Sequence, residues 1–310
     1  MCAACRLSIV IPVYNTGGYL AACLNSCLNQ DIPADKYEII LVNDGSTDDS
    51  MELIEEYCSI YPNVRSHSQR NCGLSVARNV GLDLASGDYV WFVDSDDAIR
   101  GNCLGSLLDY VDGADVLAFG PMLHRHRMSG RDYIVATKAN FRHGAPYYIF
   151  RRQFLTDNAL RFYPGIYHED SEFTPRVLYC AESLVVCTDE CYCRTARADS
   201  ITQTMDIRRA YDLIFVARRL EDFIKTDFMD FTLRKMMLKL LPVIVNSSLN
   251  VASKSDPSQW EAYCNRFIFY RTSRYYLISR DPRYIAEGIL LTFSANPIKT
   301  YIRILKCIKR

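Results

Sequence analysis

The feature that most constrains this chain is an alternation in its first hundred residues, where short apolar runs of strand length give way to polar turns and then to amphipathic helical patterns. Leu7–Val13 is a β-branched run suited to a buried strand, and Asn15-Thr16-Gly17-Gly18 turns the chain after it. Tyr19 to Gln30 then sets Leu20, Cys23, Leu24, Cys27 and Leu28 at helical spacing, closed off by Pro33. Tyr37–Val42 reads as a second strand, Asp48 opens a helix carrying Met51, Ile54 and Tyr57, Ser75–Ala85 is a third helix, and Tyr89–Val93 is another buried strand. Strand and helix in this order predict a parallel, doubly wound α/β sheet, whose ligands bind beyond the carboxyl ends of the strands.

Those ends are acidic. The first strand delivers Pro12, Val13, Tyr14 and Asn15, the second Asn43 and Asp44, and the later one Asp94-Ser95-Asp96-Asp97. Carboxylates gathered on one rim repel unless a cation or a hydroxyl-rich ligand joins them, so a divalent metal is the economical expectation. Helix capping accounts for Asp48 or Asp97 but not for three acids in four residues.

A length of 310 residues gives room for two domains or one large domain with an appendage. The 36 basic and 36 acidic residues cancel, which removes any global signal for nucleic acid. The cancellation hides a division: residues 1–100 hold six Lys/Arg against fourteen Asp/Glu, a net of −8, leaving +8 for the remainder. Thirteen scattered cysteines are odd in number and read as reduced thiols. Cys2 and Cys5, and Cys191 and Cys193, have ligand-like spacing but lack the second pair or histidines a zinc site needs, and Cys23 and Cys27 belong to a core stripe. The N-terminus has no signal-peptide pattern, its apolar segment stopping at strand length, and elsewhere the longest uncharged stretch, Leu240–Ser253, contains Pro242 and is too short and polar to span a bilayer, so a soluble cytoplasmic protein is expected.

Four blocks in order carry a resemblance: Ser8–Asn15, Val42–Asp48, Asn71–Gly81, and Ala85–Val90 leading to Asp94–Asp97. Together they resemble the family 2 glycosyltransferases, nucleotide-diphospho-sugar enzymes of the GT-A fold. A fainter echo runs through His168-Glu169-Asp170 and Tyr192-Cys193-Arg194 to about Thr202. The resemblance implies an α/β GT-A domain over 1–205, with 1–100 the nucleotide-binding part and 101–205 the acceptor-side part, followed by a helical C-terminal region over 206–310.

By similarity to that family, Pro12 and Tyr14 border the base, Asp44 accepts a hydrogen bond from its imide nitrogen, and Arg78 lies near base and phosphates. A guanidinium among these acids should also pair with one of them. Asp94 meets the ribose hydroxyls and Asp96 ligates Mn²⁺ or Mg²⁺, a hard cation suited to oxygen ligands. Asp170 is the expected general base, with Glu169 second and His168 as an orienting or diphosphate contact; helix capping is the alternative for this carboxylate. Arg194 and Arg197, with Ser200, fall in a polar loop that in similar enzymes closes over the diphosphate. His124, His126 and His143 read as surface or acceptor-side residues.

The resemblance thus implies a metal-dependent inverting enzyme moving a sugar from a UDP-type donor to a glycan or lipid-linked saccharide in surface-glycan synthesis. A sugar nucleotidyltransferase would want a glycine-rich basic loop after the first strand, and a non-catalytic nucleotide-sugar-binding protein would not need Asp44, Asp94, Asp96 and Asp170 together. No G-x-G-x-x-G or P-loop motif is present. Beyond Asp206 the pattern is helical, with Leu233–Val245 bent or broken at Pro242. After Pro297, Ile298, Tyr301, Ile302, Leu305 and Ile308 form a stripe flanked by Lys299, Arg303, Lys306, Lys309 and Arg310, a basic amphipathic helix fit to pack inward or to touch an anionic membrane through 297–310.

Overall fold

A computed structural model describes residues 5–119, 127–195, 206–226 and 229–308. Arg197, Ser200, His124, His126 and Cys2 lie outside those residues. The described chain forms two compact units: one drawn from residues 5–133, 141–165 and 173–195, the other from 134–140, 166–172 and 206–308.

The first unit is built on strands β1 Leu7–Val13, β2 Tyr37–Asn43, β3 Val64–Ser68, β4 Tyr89–Phe92, β5 Ala98–Ile99, β6 Val116–Phe119, β7 Arg127–Met128, β8 Tyr148–Arg151, β9 Leu184–Cys187 and β10 Tyr192–Cys193. Eight of them form one sheet in the order β3-β2-β1-β4-β8-β6-β9-β7, and β5 pairs with β10 separately. β1 runs parallel to β2 and β4, as β2 does to β3 and β6 to β9, while β8 is antiparallel to both its neighbours. The sheet is therefore mostly parallel.

Every residue of β1 and β4 is buried, as expected of strands covered on both faces. Ser8 is the polar exception, and it is satisfied: its hydroxyl donates to Glu38 at 2.6 Å and accepts from the Gly87 N–H at 2.9 Å. The register pairs Leu7 with both Tyr37 and Tyr89, so β1, β2 and β4 start level and run the same way, with Val13 opposite Asn43 and β4 ending earlier, at Phe92 opposite Val10. Backbone bonds from Asp44 N to Val13 O (2.8 Å) and from Val93 N to Val10 O (3.0 Å) carry the ladder to its edge. The residues that follow all three strands thus emerge on one rim.

The first helix buries Leu20, Cys23, Leu24 and Cys27, the stripe read from spacing. It starts at Gly17, earlier than the spacing indicated, because a side chain from another segment supplies the missing hydrogen bond: Asp48 Oδ2 accepts from Gly17 N at 2.9 Å. A Cβ at Gly17 would fall 1.6 Å from Asp49 Oδ1, so a larger residue there would have to displace that side chain. β3 has no apolar alternation, with Val64 buried and the next four residues exposed; it holds as a polar edge strand through its ladder to β2.

The second unit is helical, with Ile207–Thr226, Phe231–Leu238, Leu240–Lys254, Trp260–Phe269, Arg274–Ile278, Pro282–Thr292 and Pro297–Ile308. Ile207–Thr226 packs on Leu240–Lys254. The break falls at Lys239 and not at Pro242, which sits in the first turn of the following helix, where no N–H is required. Phe231–Lys254 is long and apolar enough to cross a membrane by length and composition, and half of that stretch is buried within the unit. In the terminal helix Ile298 and Tyr301 are buried and Ile302 and Leu305 half-buried, against the helices of 240–254, 260–269 and 282–292. That stripe is used in packing.

Candidate active site

Asp44, at the end of β2, is 3% exposed and accepts three hydrogen bonds from one loop: Gln69 Nε2 at 2.7 Å and Cys72 N at 2.8 Å on Oδ1, and Gly73 N at 2.8 Å on Oδ2. Three donors on one carboxylate fix the approach to the helix Leu74–Leu84 and leave Asp44 a rigid acceptor. Gly45 follows with φ +75°, and a Cβ there would meet the Asn71 N–H at 2.8 Å, so the turn requires glycine twice over. Beyond β1, Pro12 is buried and Tyr14 is 48% exposed, an aromatic ring presented at the rim. Asn15 beside it adopts φ 52°, accepts from Thr47 N at 2.8 Å and donates its own N–H to Ser46 Oγ at 3.1 Å, stitching the first two loops together.

Beyond β4 the acids have partners. Arg78 is 1% exposed, donates from Nη2 to Asp94 Oδ1 at 2.7 Å, and holds its guanidinium 5.2 Å from the centroid of the Phe162 ring. It is a core residue, and it makes the ion pair its sequence context demanded. Asp97 accepts from the Tyr192 hydroxyl and from Thr195 N at 2.7 Å, and the same hydroxyl lies 3.4 Å from Asp94 Oδ2. Burial holds the Asp97 carboxyl above the usual carboxylate range against these hydrogen bonds, with Asp94 and Asp96 pushing the same way. Burial and the two carboxylates also raise Tyr192, which keeps its proton and acts as a donor. Thr16 Oγ1 donates to Ser95 Oγ at 2.9 Å, joining the first loop to the same turn.

The convergence of acids is therefore compensated largely by the protein itself. Arg78, Tyr192 and the Thr195 N–H serve Asp94 and Asp97, and half-buried Asp96 stands between them with carboxylate oxygens of the kind a hard cation takes. Among the described residues, no three His, Cys, Asp or Glu side chains form a ready metal cage. A cation at Asp96 thus fits only if a ligand such as a diphosphate completes its oxygen shell.

Glu169 and Asp170 belong to the second unit and open the helix Glu169–Cys180 as its first two residues, with Glu169 buried and Asp170 half-buried. His168 precedes them with φ 62°, a left-handed conformation uncommon for any residue with a Cβ. Its Nε2 is buried without a hydrogen-bond partner, and burial together with the charge of Arg209 lowers the imidazole to about 4. At neutral pH His168 is uncharged. Around it, Asp212 Oδ2 accepts from Tyr167 N at 2.9 Å and Glu172, fully buried, pairs with Arg219 Nε at 3.0 Å. Arg194 is exposed. His143 is half-buried beside Phe141, ring centroids 5.4 Å apart, and burial lowers it to about 4, which removes it from the surface histidines.

Residues 8–168 match the sequence model of Glycosyl transferase family 2. The chain belongs to that family. Among similar proteins, the uncharacterized glycosyltransferase YibD of Escherichia coli K12 is 31% identical over 196 residues, 56% of each chain. Glycosyltransferase GlyG of Streptococcus pneumoniae is 27% identical over 286 residues, 84% of this chain and 94% of its own. The poly(ribitol-phosphate) beta-glucosyltransferase of Bacillus spizizenii is 42% identical over 101 residues, 32% of this chain and 16% of that longer protein. The chain thus spans about half of YibD and nearly all of GlyG.

Among solved structures, S. aureus TarS 1–349 aligns with TM-score 0.75 at 21% identity over 98% of this chain and 91% of that one. Its complex with UDP-GlcNAc aligns at 0.72, 21% identical over the same shares. The mannosyltransferase PcManGT of Pyrobaculum calidifontis, in complex with GDP-Man and Mn²⁺, aligns at 0.58, 16% identical over 94% of this chain and 87% of that one. At such identities the likeness is one of fold, which is GT-A.

Tyr192 and Phe162 touch candidate site residues and are not ones that sequence reasoning gave a role. Tyr192 carried a signal, since it stands in the block that echoes the family before Arg194. Phe162 carried none, because its ring reaches Arg78 only through the fold.

Proposed function

We propose that this glycosyltransferase is a metal-dependent inverting enzyme that moves a sugar from a UDP-type donor to a glycan or lipid-linked saccharide, in the synthesis of a surface glycan. The observation that carries the reading is the rim beyond β1, β2 and β4, where Asp94 is held between the Arg78 guanidinium and the Tyr192 hydroxyl beside Asp96. The solved UDP-GlcNAc and UDP complexes of S. aureus TarS, and the poly(ribitol-phosphate) relative, support donor and acceptor classes of this kind.

In this reading Tyr14 and Pro12 border the base and rigid Asp44 offers its remaining acceptor capacity to the imide N–H. Asp94, immobilised on one oxygen by Arg78, receives the ribose hydroxyls on the other. Asp96 holds Mn²⁺ or Mg²⁺, which when bound stabilises the charge of a departing nucleoside diphosphate. Exposed Arg194, and Arg197 beyond it, supply cations to that diphosphate. Asp170 takes the proton from the acceptor hydroxyl, with Glu169 as the second candidate. His168, uncharged at neutral pH, orients this pair and is not a cationic contact. A single base and direct attack give inversion. The work belongs on the cytoplasmic side, with peripheral membrane contact through 297–310.

A panel of nucleotide sugars, each with Mn²⁺, read by thermal shift, by donor hydrolysis and by the anomeric configuration of the product, tests this. We expect metal-dependent stabilisation by one donor class, abolished in Asp96→Ala. Absence of stabilisation by any nucleotide sugar would sink the reading, and a retained configuration would remove the inverting step.

A further inference from the structure

The helix Pro282–Thr292 in the helical unit faces the wrong way for a helix bordering water. Its described outward side chains are Pro282, Ile285, Ala286, Ile289, Leu290 and Thr292, continued by Phe293, and none carries a charge. Phe293 is 87% exposed, Leu290 55% and Ile289 48%. Its acidic residue, Glu287, instead turns to Asn246 of the helix Leu240–Lys254. A surface helix ordinarily shows the reverse pattern, and a contiguous apolar face rimmed by polar groups marks an interaction site.

The exposed charges of the next helix have one sign. On the next helix Lys299, Arg303 and Lys306 are exposed, and no acidic residue occurs after Glu287 in the sequence. The same chemistry recurs in a groove of about 580 Å³, with an apolar floor that includes Phe231 and Leu277 and a rim of Arg234, Lys235 and Arg280. Leu277, which lines the groove, also meets this helix at Gly288, where a Cβ would lie 3.0 Å from its side chain, so groove and helix are neighbours. An eleven-residue helix is about 16 Å long and about 10 Å wide, too small for the roughly 800 Å² each partner of a stable dimer buries. Two copies meeting here would also bring cations together.

We infer that this face lies on an anionic bilayer surface, with Ile285, Ile289, Leu290 and Phe293 entering the boundary between headgroups and acyl chains and Lys299, Arg303 and Lys306 meeting anionic headgroups. The inference rests on the peripheral-membrane part of the proposed function and moves the contact to 282–293, since the apolar stripe after Pro297 is engaged in packing.

The full chain is tested by sedimentation with vesicles of phosphatidylcholine and phosphatidylglycerol, against pure phosphatidylcholine, at low and high salt. Wild type should bind the anionic vesicles, less at high salt and less without phosphatidylglycerol. I289S/F293S should lose about tenfold or more in vesicle affinity, and K299E/R303E about tenfold, while Phe293→Trp should retain binding. Each variant should keep the wild-type melting temperature, since the altered side chains are exposed. Failure of wild type to bind, or unchanged binding by I289S/F293S, overturns the inference. So does a concentration-dependent dimer in light scattering that F293S abolishes. Nucleotide-sugar stabilisation measured on the same samples separates the two proposals: vesicle binding without nucleotide binding refutes the catalytic reading alone, and the converse refutes the surface alone.

Discussion

The strand rim of the first unit and the last helices of the second handle charge in opposite ways. At the rim, charged groups turn inward and are matched: Arg78 pairs with Asp94, Asp44 takes three donors, and Asp97 takes two. In Pro282–Thr292 the acid turns inward and the apolar side chains turn out. Matched buried charges define a geometry that tolerates no slack, whereas an apolar face rimmed by cations needs a partner but little precision. The −8 of the first hundred residues includes these matched acids together with exposed ones such as Glu52, Glu55 and Glu56, and the +8 of the rest includes Lys299, Arg303 and Lys306 beside an apolar face.

The contrast breaks most sharply at the chemistry. If Asp170 is the base, Asp170→Ala should lower kcat by about 10²–10⁴ while donor binding, measured by thermal shift with Mn²⁺, stays near wild type. Equal losses in both would mean that Asp170 holds structure or donor, and that the base lies elsewhere.

The next largest effect concerns matched charge. Asp94→Ala leaves a guanidinium that is 1% exposed without the carboxylate it pairs with, so stability should fall by about 3 kcal/mol or more. Arg78→Met leaves behind a carboxylate one-third exposed to water and should cost about 1–2 kcal/mol. Chemical denaturation checks the asymmetry, and equal losses would show that burial does not set the cost.

Much of the rim was legible in the sequence because the local signals agreed with the fold. Leu7–Val13 and Tyr89–Val93 are apolar but for Ser8, as strands covered on both faces are, and the acids fall where those strands end. β3 was not legible, since a polar edge strand has no alternation to read, and neither was the start of the first helix, which depends on Asp48 from thirty-one residues away. The compensation of Asp94 and Asp97 was half visible: a pairing of Arg78 follows from its surroundings, but Tyr192 meets Asp97 only because β10 pairs with β5. In the helical unit the stripe after Pro297 was visible, whereas the outward apolar face of Pro282–Thr292 was not. Periodicity reveals that a helix has two faces, and only the packing decides which one is inside.

His168 gives a smaller effect that depends on pH. Its folded-state value of about 4 lies below the ordinary 6.5, so the folded chain binds fewer protons than the unfolded one between those limits. Stability from this group is fully present above pH 6.5 and is lost as pH falls toward 4, by up to about 3 kcal/mol. His168→Asn accepts the φ of 62° more readily and cannot titrate. Melting temperatures from pH 7 to pH 4 should fall less steeply in that variant, and parallel curves would show that His168 is not the titrating group.

The smallest change tests the link between matched charge and donor geometry. Tyr192→Phe removes one hydroxyl from Asp97 and from the neighbourhood of Asp94 while leaving the ring, which packs edge-on against Tyr147 with centroids 5.5 Å apart. The loss of a hydrogen bond to a charged group should cost about 1–2 kcal/mol of stability. Its functional trace should be specific: Asp94, freed on one side, holds the ribose less well, so KM for the donor rises several-fold while kcat for bound donor changes little. A fall in kcat with KM unchanged would instead give Tyr192 a part in the transition state, and with it a place beside Asp170 in the chemistry.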